Sequence, residues 1–161
     1  MSSPLHALCL TRCPLCAPNR KLSLSTNSID RLIPLGGMAK LRILSVGRNN
    51  LKKVEKLDEV AGTLEQLWAS YNNIGNLDGV LCLSNLRVLY LGNNQVSDWA
   101  EVGKLAGLSN LEDVLLVGNP IYEDLTIEER RTEVLKNIPG IKKIDGEMVT
   151  PAEREAAAAS A

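Results

Sequence analysis

The sequence predicts an α/β solenoid, a right-handed coil with a short parallel β-sheet on its concave face, helical or 3₁₀ returns, and a C-terminal helical cap. Two observations carry this. The skeleton L-x-x-L-x-L-x-x-N fills the stretch from Leu86 to Asn94 (LRVLYLGNN) and recurs as Leu41, Leu44, Val46, Asn49; as Leu64, Leu67, Ala69, Asn72; and as Leu111, Val114, Leu116, Asn119. With a partial copy at Leu22, Leu24 and Asn27, the asparagines fall 22, 23, 22 and 25 residues apart. That skeleton at that period is the leucine-rich repeat. One repeat alone would leave its leucines in water, so stability must come from stacking. An asparagine at one place in every coil can bond backbone groups that the turn would otherwise bury unpaired.

Residues 1–20 show no helical or strand period and carry Pro4, Pro14 and Pro18. A solenoid needs a cap at its open end, and this stretch reads instead as a disordered leader, or as the product of a start other than the native one. It holds Cys9, Cys13, Cys16 and the one histidine, His6. Cys13 and Cys16 form a C-x-x-C, but its placement in a proline-containing leader favours an unstructured reading over a zinc site.

The repeats occupy 21–125. After each asparagine, apolar residues follow at intervals of three, as in Leu51, Val54, Leu57, Val60 and in Val96, Trp99, Val102, Leu105. Such spacing suits short 3₁₀ or helical returns that bury one edge. Trp99 is expected in the core, and Cys82 is expected to be a small packed side chain.

A cap is expected over 126–146. Thr126 and Glu129 make a capping box, opening a helix to about Asn137 that Pro139 and Gly140 stop. Ile127, Val134, Leu135 and Ile138 are expected to face the last coil, and Ile141 to Gly146 to return as an edge segment. A second box, Thr150 and Glu153 with Pro151 between them, opens a helix in the tail 147–161. Having almost no apolar stripe, that helix is expected to project.

Residues between the leucines of a strand point outward from the sheet. One such row reads Ser23, Ser45, Trp68, Tyr90, Leu115, and a second reads Lys21, Ile43, Gln66, Val88, Asp113. The chain has five aromatic residues and no phenylalanine, yet Trp68, Tyr71 and Tyr90 map to this face. Ile43, Trp68, Val88, Tyr90 and Leu115 would form one apolar patch rimmed by charges that include Arg48. Such a patch marks a protein interface.

Other classes fare worse. A net charge of -1 from 18 basic and 19 acidic residues gives no field for nucleic acid. No apolar run approaches the roughly 18 residues that span a bilayer, and no secretory signal opens the chain. The expectation is a cytoplasmic, non-enzymatic protein without metal or cofactor. Its one histidine lies in the leader, so no Ser/His/Asp or Cys/His machinery is available, and Gly36, Gly37 and Gly92 lack a phosphate-loop context.

The stretches LRILSVGRN (41–49), LEQLWASYN (64–72), LEDVLLVGNP (111–120) and IKKIDG (141–146) together resemble the leucine-rich-repeat light chains of axonemal outer-arm dynein, over roughly Leu22 to Glu155. The resemblance implies a non-catalytic light chain of the cilium or flagellum axoneme. It implies docking on a dynein heavy chain at the microtubule-binding domain of its stalk, tuning motor engagement and beating. Trp68, Tyr90 and Leu115 inherit the heavy-chain contact, with Arg48 and Tyr71 on the rim. Arg154 matches a basic position near the microtubule or motor. Three glutamates beside Arg154 in the tail argue against acidic tubulin as a partner. Leucine-rich regulators of protein phosphatase 1 and spliceosomal adaptors share the repeat length and stand as alternatives.

Overall fold

A computed structural model describes residues 20–159. The leader, with its cysteines, lies outside them except for Arg20. Each coil opens on a three-residue strand: β1 Lys21–Ser23, β2 Ile43–Ser45, β3 Gln66–Trp68, β4 Val88–Tyr90 and β5 Asp113–Leu115. With β6 Lys143–Ile144 and β7 Glu147–Met148 they form one seven-stranded sheet in chain order. Strands β1 to β6 pair in parallel and β7 turns back antiparallel on β6. The returns are 3₁₀ turns at Asp58–Val60, Asp78–Val80 and Pro120–Tyr122, and in the longest coil a helix, α1 Trp99–Lys104. The repeats, the parallel sheet and the 3₁₀ returns make the leucine-rich-repeat solenoid that the spacing predicts.

Strand alternation sends the middle residue of each strand inward. Leu44, Leu67, Leu89, Val114 and Ile144 are all fully buried, each worth about 1.5–3 kcal/mol of apolar burial. The first coil differs. Leu22, Leu24, Ile29 and Met38 are only partly buried.

The asparagines weld coil to coil. Asn94 Oδ1 accepts from Ile74 N at 3.0 Å, while its Nδ2 donates to Ala69 O at 3.0 Å and Leu91 O at 2.9 Å. Asn49, Asn72 and Asn119 repeat this pattern. Asn27, on the first described coil, is exposed and, among the described residues, bonds only its own turn. Coils also meet closely at Gly79, where a Cβ would fall 1.6 Å from Val54 O.

Asp145 supplies the last rung. Its Oδ1 accepts from Leu116 N and Val117 N, and its Oδ2 takes the Tyr122 hydroxyl at 2.9 Å. Burial, reinforced by that carboxylate, pushes the Tyr122 phenol far above its usual range.

Helix α2, Ile127–Asn137, carries the Thr126/Glu129 capping box and buries Val134 and Leu135. Ile127 does not face the last coil. It is 73% exposed, since the first helical residue points away while the stripe lies further along.

Helix α3, Pro151–Ala159, does not project. It lies on α2, with Ala157 buried, because alanines let two helix backbones approach closely. Arg131 of α2 pairs with Glu153 and donates to Ile144 O and Met148 O. Cys82 is exposed rather than packed, standing on the outside of its return.

Two outcomes follow. Asn94→Ala should cost about 3 kcal/mol, since three buried backbone groups lose their partner, and lower the melting temperature by roughly 10 °C. Asn27→Ala should cost under about 1 kcal/mol; thermal denaturation of both variants checks the contrast. The hydrogen bonds from Arg131, helped by Thr150, hold the Glu153 carboxyl at about 2, below its ordinary 4.5. A depressed folded-state value adds stability above the unfolded value, lost as pH falls from about 4.5 toward about 2. Urea titrations across that window should show the loss in the native protein and a flatter profile in Glu153→Gln.

Candidate protein-binding face

Strand register sets two rows on the open face of the sheet. One runs Lys21, Ile43, Gln66, Val88, Asp113, Lys143, Met148, and the other Ser23, Ser45, Trp68, Tyr90, Leu115. Ile43, Trp68, Val88, Tyr90 and Leu115 therefore share one surface. All five are half-buried rather than freely exposed.

The two rings at the centre are stacked. Trp68 and Tyr90 have centroids 6.3 Å apart and planes 19° apart, an offset arrangement worth about 0.5–1.5 kcal/mol beyond its area. Lys21 Nζ sits 5.0 Å from the Trp68 ring centroid, across the intervening strand β2. On the other side the Tyr90 hydroxyl donates to Asp113 Oδ2 at 3.0 Å, and Lys143 lies 3.5 Å from the same oxygen. Burial, then the Asp113 carboxylate, pushes the Tyr90 phenol up. Lysine, indole, phenol, carboxylate and lysine thus form one chain across the sheet. Two of its buried polar atoms, Trp68 Nε1 and Asp113 Oδ1, have no hydrogen-bond partner among the described residues.

Along one edge the charges neutralise each other. Arg42 pairs with Glu65 at 2.9 Å, and Glu112 takes both Arg87 and Lys142 at 2.7 Å. These pairs are solvated and add little stability, but they leave that edge nearly neutral.

Arg48 and Tyr71 lie beside the face, at the turn position that precedes the asparagine. Every coil holds this residue left-handed: Thr26 at φ 61°, Arg48 at 55°, Tyr71 at 58°, Asn93 at 55° and Gly118 at 78°. Glycine and asparagine suit such a position, whereas a large side chain is strained there. Tyr71 is 52% exposed, with the Arg48 guanidinium 4.9 Å above its ring.

Arg154 is not part of this group. It belongs to α3, where its guanidinium donates to Pro139 O and Ile141 O, closing the turn after α2. Its match to a basic position in the tail could not reveal that its donors are spent on carbonyls. Lys143 and Met148 were missed as members of the face. The Asp145–Gly146 pair, left-handed at φ 51° and 93°, is an Asp-Gly hairpin signal that would have placed both.

Among the described residues no group of three or more His, Cys, Asp or Glu side chains could hold a metal ion. No helix among them is long and apolar enough to cross a membrane.

Comparisons with known proteins agree with this architecture. A family model described as Leucine Rich repeats (2 copies) matches residues 63–104. Among solved structures, the Drosophila melanogaster SNF/U2A′ complex contains a chain alike in fold, with a TM-score of 0.73 at 21% identity, covering 86% of this chain and 79% of that one. A leucine-rich-repeat protein of Leptospira interrogans gives a TM-score of 0.59 at 25% identity, over 76% of this chain and 30% of that one. Dynein axonemal light chain 1 of Chlamydomonas reinhardtii is 53% identical over 142 residues, covering 86% of this chain and 72% of the relative. The human protein of the same name is 48% identical over 136 residues, covering 84% and 72%. Identity at that level, over most of both chains and on the repeat architecture just described, means that this chain belongs to the axonemal dynein light chain 1 family.

Proposed function

We propose that this chain is a non-catalytic light chain that docks on an axonemal outer-arm dynein heavy chain through the open face of its sheet. The stacked Trp68 and Tyr90 pair carries the reading, because a solenoid core has no need of two large rings on its solvent side. Ile43, Val88 and Leu115 extend the apolar area, and aromatic anchors in such a patch dominate binding energy. Tyr71 and Arg48 form its rim, on turns strained enough that a smaller residue would serve the fold better. The docking site on the partner is the microtubule-binding domain of its stalk, where a bound solenoid tunes how the motor engages the microtubule and so the beat of the cilium or flagellum. Direct tubulin contact through Arg154 is not part of the proposal, since that guanidinium is committed to backbone carbonyls.

Trp68→Ala combined with Tyr90→Ala should abolish capture of an outer-arm heavy chain from flagellar extract while leaving the fold intact. Undiminished capture would refute the assignment of this face, and co-purification of a phosphatase or a spliceosomal RNA-binding protein in place of dynein would replace the function itself. Tyr71→Asn separates fold from binding. Relieving the left-handed strain should leave stability unchanged or raise it by up to about 1 kcal/mol, while weakening capture. A urea melt paired with the capture assay reads both, and a large loss of stability would show that Tyr71 serves the fold.

A further inference from the structure

The residue ahead of each strand from β1 to β6 belongs to a row of its own along one edge of the sheet: Arg20, Arg42, Glu65, Arg87, Glu112, Lys142. From Arg42 onward, each donates its backbone N–H to the carbonyl of the one before, so adjacent members stand one strand spacing apart, about 4.8 Å. Side chains along the row pair acid with base: Arg42 with Glu65, and Glu112 with both Arg87 and Lys142. The pairing stops at Arg42. Arg20 stands next to another arginine, and neither Arg20 nor Lys40 has an acidic partner among the described residues. The sequence deepens the imbalance. Residues 1–42 hold six basic side chains, Arg12, Arg20, Lys21, Arg31, Lys40 and Arg42, against one acidic, Asp30, in a chain whose net charge is -1.

The edge is concave at this end. A depression of about 430 Å³ has Arg20, Lys40, Arg42, Thr63, Glu65 and Asn85 in its lining. Three cations against one carboxylate leave two positive charges uncompensated. Arg42 meets Glu65 through Nη1, which leaves the rest of its fork to a ligand. Asn85 gives one amide hydrogen to Gly62 O and has a second. The Thr63 hydroxyl makes only a long bond, 3.4 Å, to Val60 O. What fits is an oxyanion with a charge near two and several acceptor oxygens. A phosphomonoester carries about -1.5 to -2 at neutral pH and three such oxygens, and guanidinium forks match it in bidentate fashion. A single carboxylate brings half that charge.

We propose that this depression is a binding site for a phosphorylated serine or threonine carried on an acidic segment of a partner protein. The phosphate bridges Arg20, Lys40 and the free part of the Arg42 fork, supplying the anion that the row lacks at its start, and Thr63 and Asn85 donate to its oxygens. Arg20, Lys40 and Arg42 are all exposed, and solvated charges retain a lone ion poorly. The polypeptide that bears the phosphate supplies the rest of the hold by lying along the edge. The site is separate from the open face and stands independently of the docking role proposed above.

The test is an NMR titration of the full chain with a pentapeptide that has phosphoserine between paired glutamates, with the same peptide carrying serine, and with inorganic phosphate. The amide signals of Arg20, Lys40, Arg42 and Thr63 should shift saturably with the phosphopeptide, which should bind at least about tenfold tighter than either control. Arg20→Glu combined with Lys40→Glu should weaken it by about tenfold or more. Lys40→Ala and Thr63→Val, milder changes, should each weaken it severalfold, with melting curves confirming intact folds. The Trp68→Ala and Tyr90→Ala double variant should bind the phosphopeptide as the native chain does, whatever becomes of its heavy-chain capture. Equal binding of the serine peptide would overturn the phosphate, and equal binding of inorganic phosphate would overturn the partner and leave a free-ion site. Undiminished binding by the charge-reversed variant, or its loss in the double variant, would place the ligand elsewhere and overturn the site.

Discussion

The structure depends on a side-chain amide doing the work of backbone at each turn. A coil of 22 to 25 residues that turns through its own core must bury peptide groups where no sheet continues, and each such group is costly if left bare. Asn49, Asn72, Asn94 and Asn119 meet that cost with one acceptor and two donors, shared between their own coil and the one before it. Once every valence is used, the rise from coil to coil is fixed at one strand spacing, and the sheet register follows. The residue before each asparagine is forced left-handed, so the same constraint that builds the fold also leaves a row of strained turns beside the open face.

Most of the fold was legible because this constraint writes itself into spacing. Leucine positions fix which side of each strand is buried, and alternation then puts Trp68, Tyr90 and Leu115 on the other. What spacing could not carry was contact between side chains far apart in sequence. Lys21 reaches Trp68 across an intervening strand, which no local pattern encodes. The tail failed for a similar reason. Runs of alanine carry too little apolar area to signal burial, yet their small size is what allows α3 to lie against α2, with Arg131 and Glu153 completing the contact. Arg154 was legible as a basic residue and not as a cap, because its carbonyl partners at Pro139 and Ile141 lie in a turn it meets only after folding.

The C-terminal cap solves the ending of the asparagine ladder by changing its chemistry. Beyond Asn119 there is no further repeat to present a full asparagine rung, and Asp145, which only accepts when ionised, takes two backbone donors and a hydroxyl. The remaining carbonyls need donors instead, and arginines supply them: Arg131 to Ile144 and Met148, Arg154 to Pro139 and Ile141. Capping therefore consumes the very side chains that a basic tail would otherwise offer to a partner.

Where the aromatic pair sits on that sheet follows from the same ladder. Leu67 and Leu89 of the inner coils are completely buried, whereas Leu22 and Leu24 of the first described coil are half-open. Trp68 and Tyr90 branch from the strand positions next to those two leucines, on backbone clamped by asparagine bonds above and below. Side chains fixed in this way lose little freedom on binding, and the affinity of an interface depends on that saving as much as on area. The strained Tyr71 turn belongs to the same coil as Trp68, so the strain is carried where neighbouring coils are best able to hold it. Placing the rings on the first coil would have offered the same area on a looser support. The middle of the solenoid is thus the position from which a small sheet can grip most firmly.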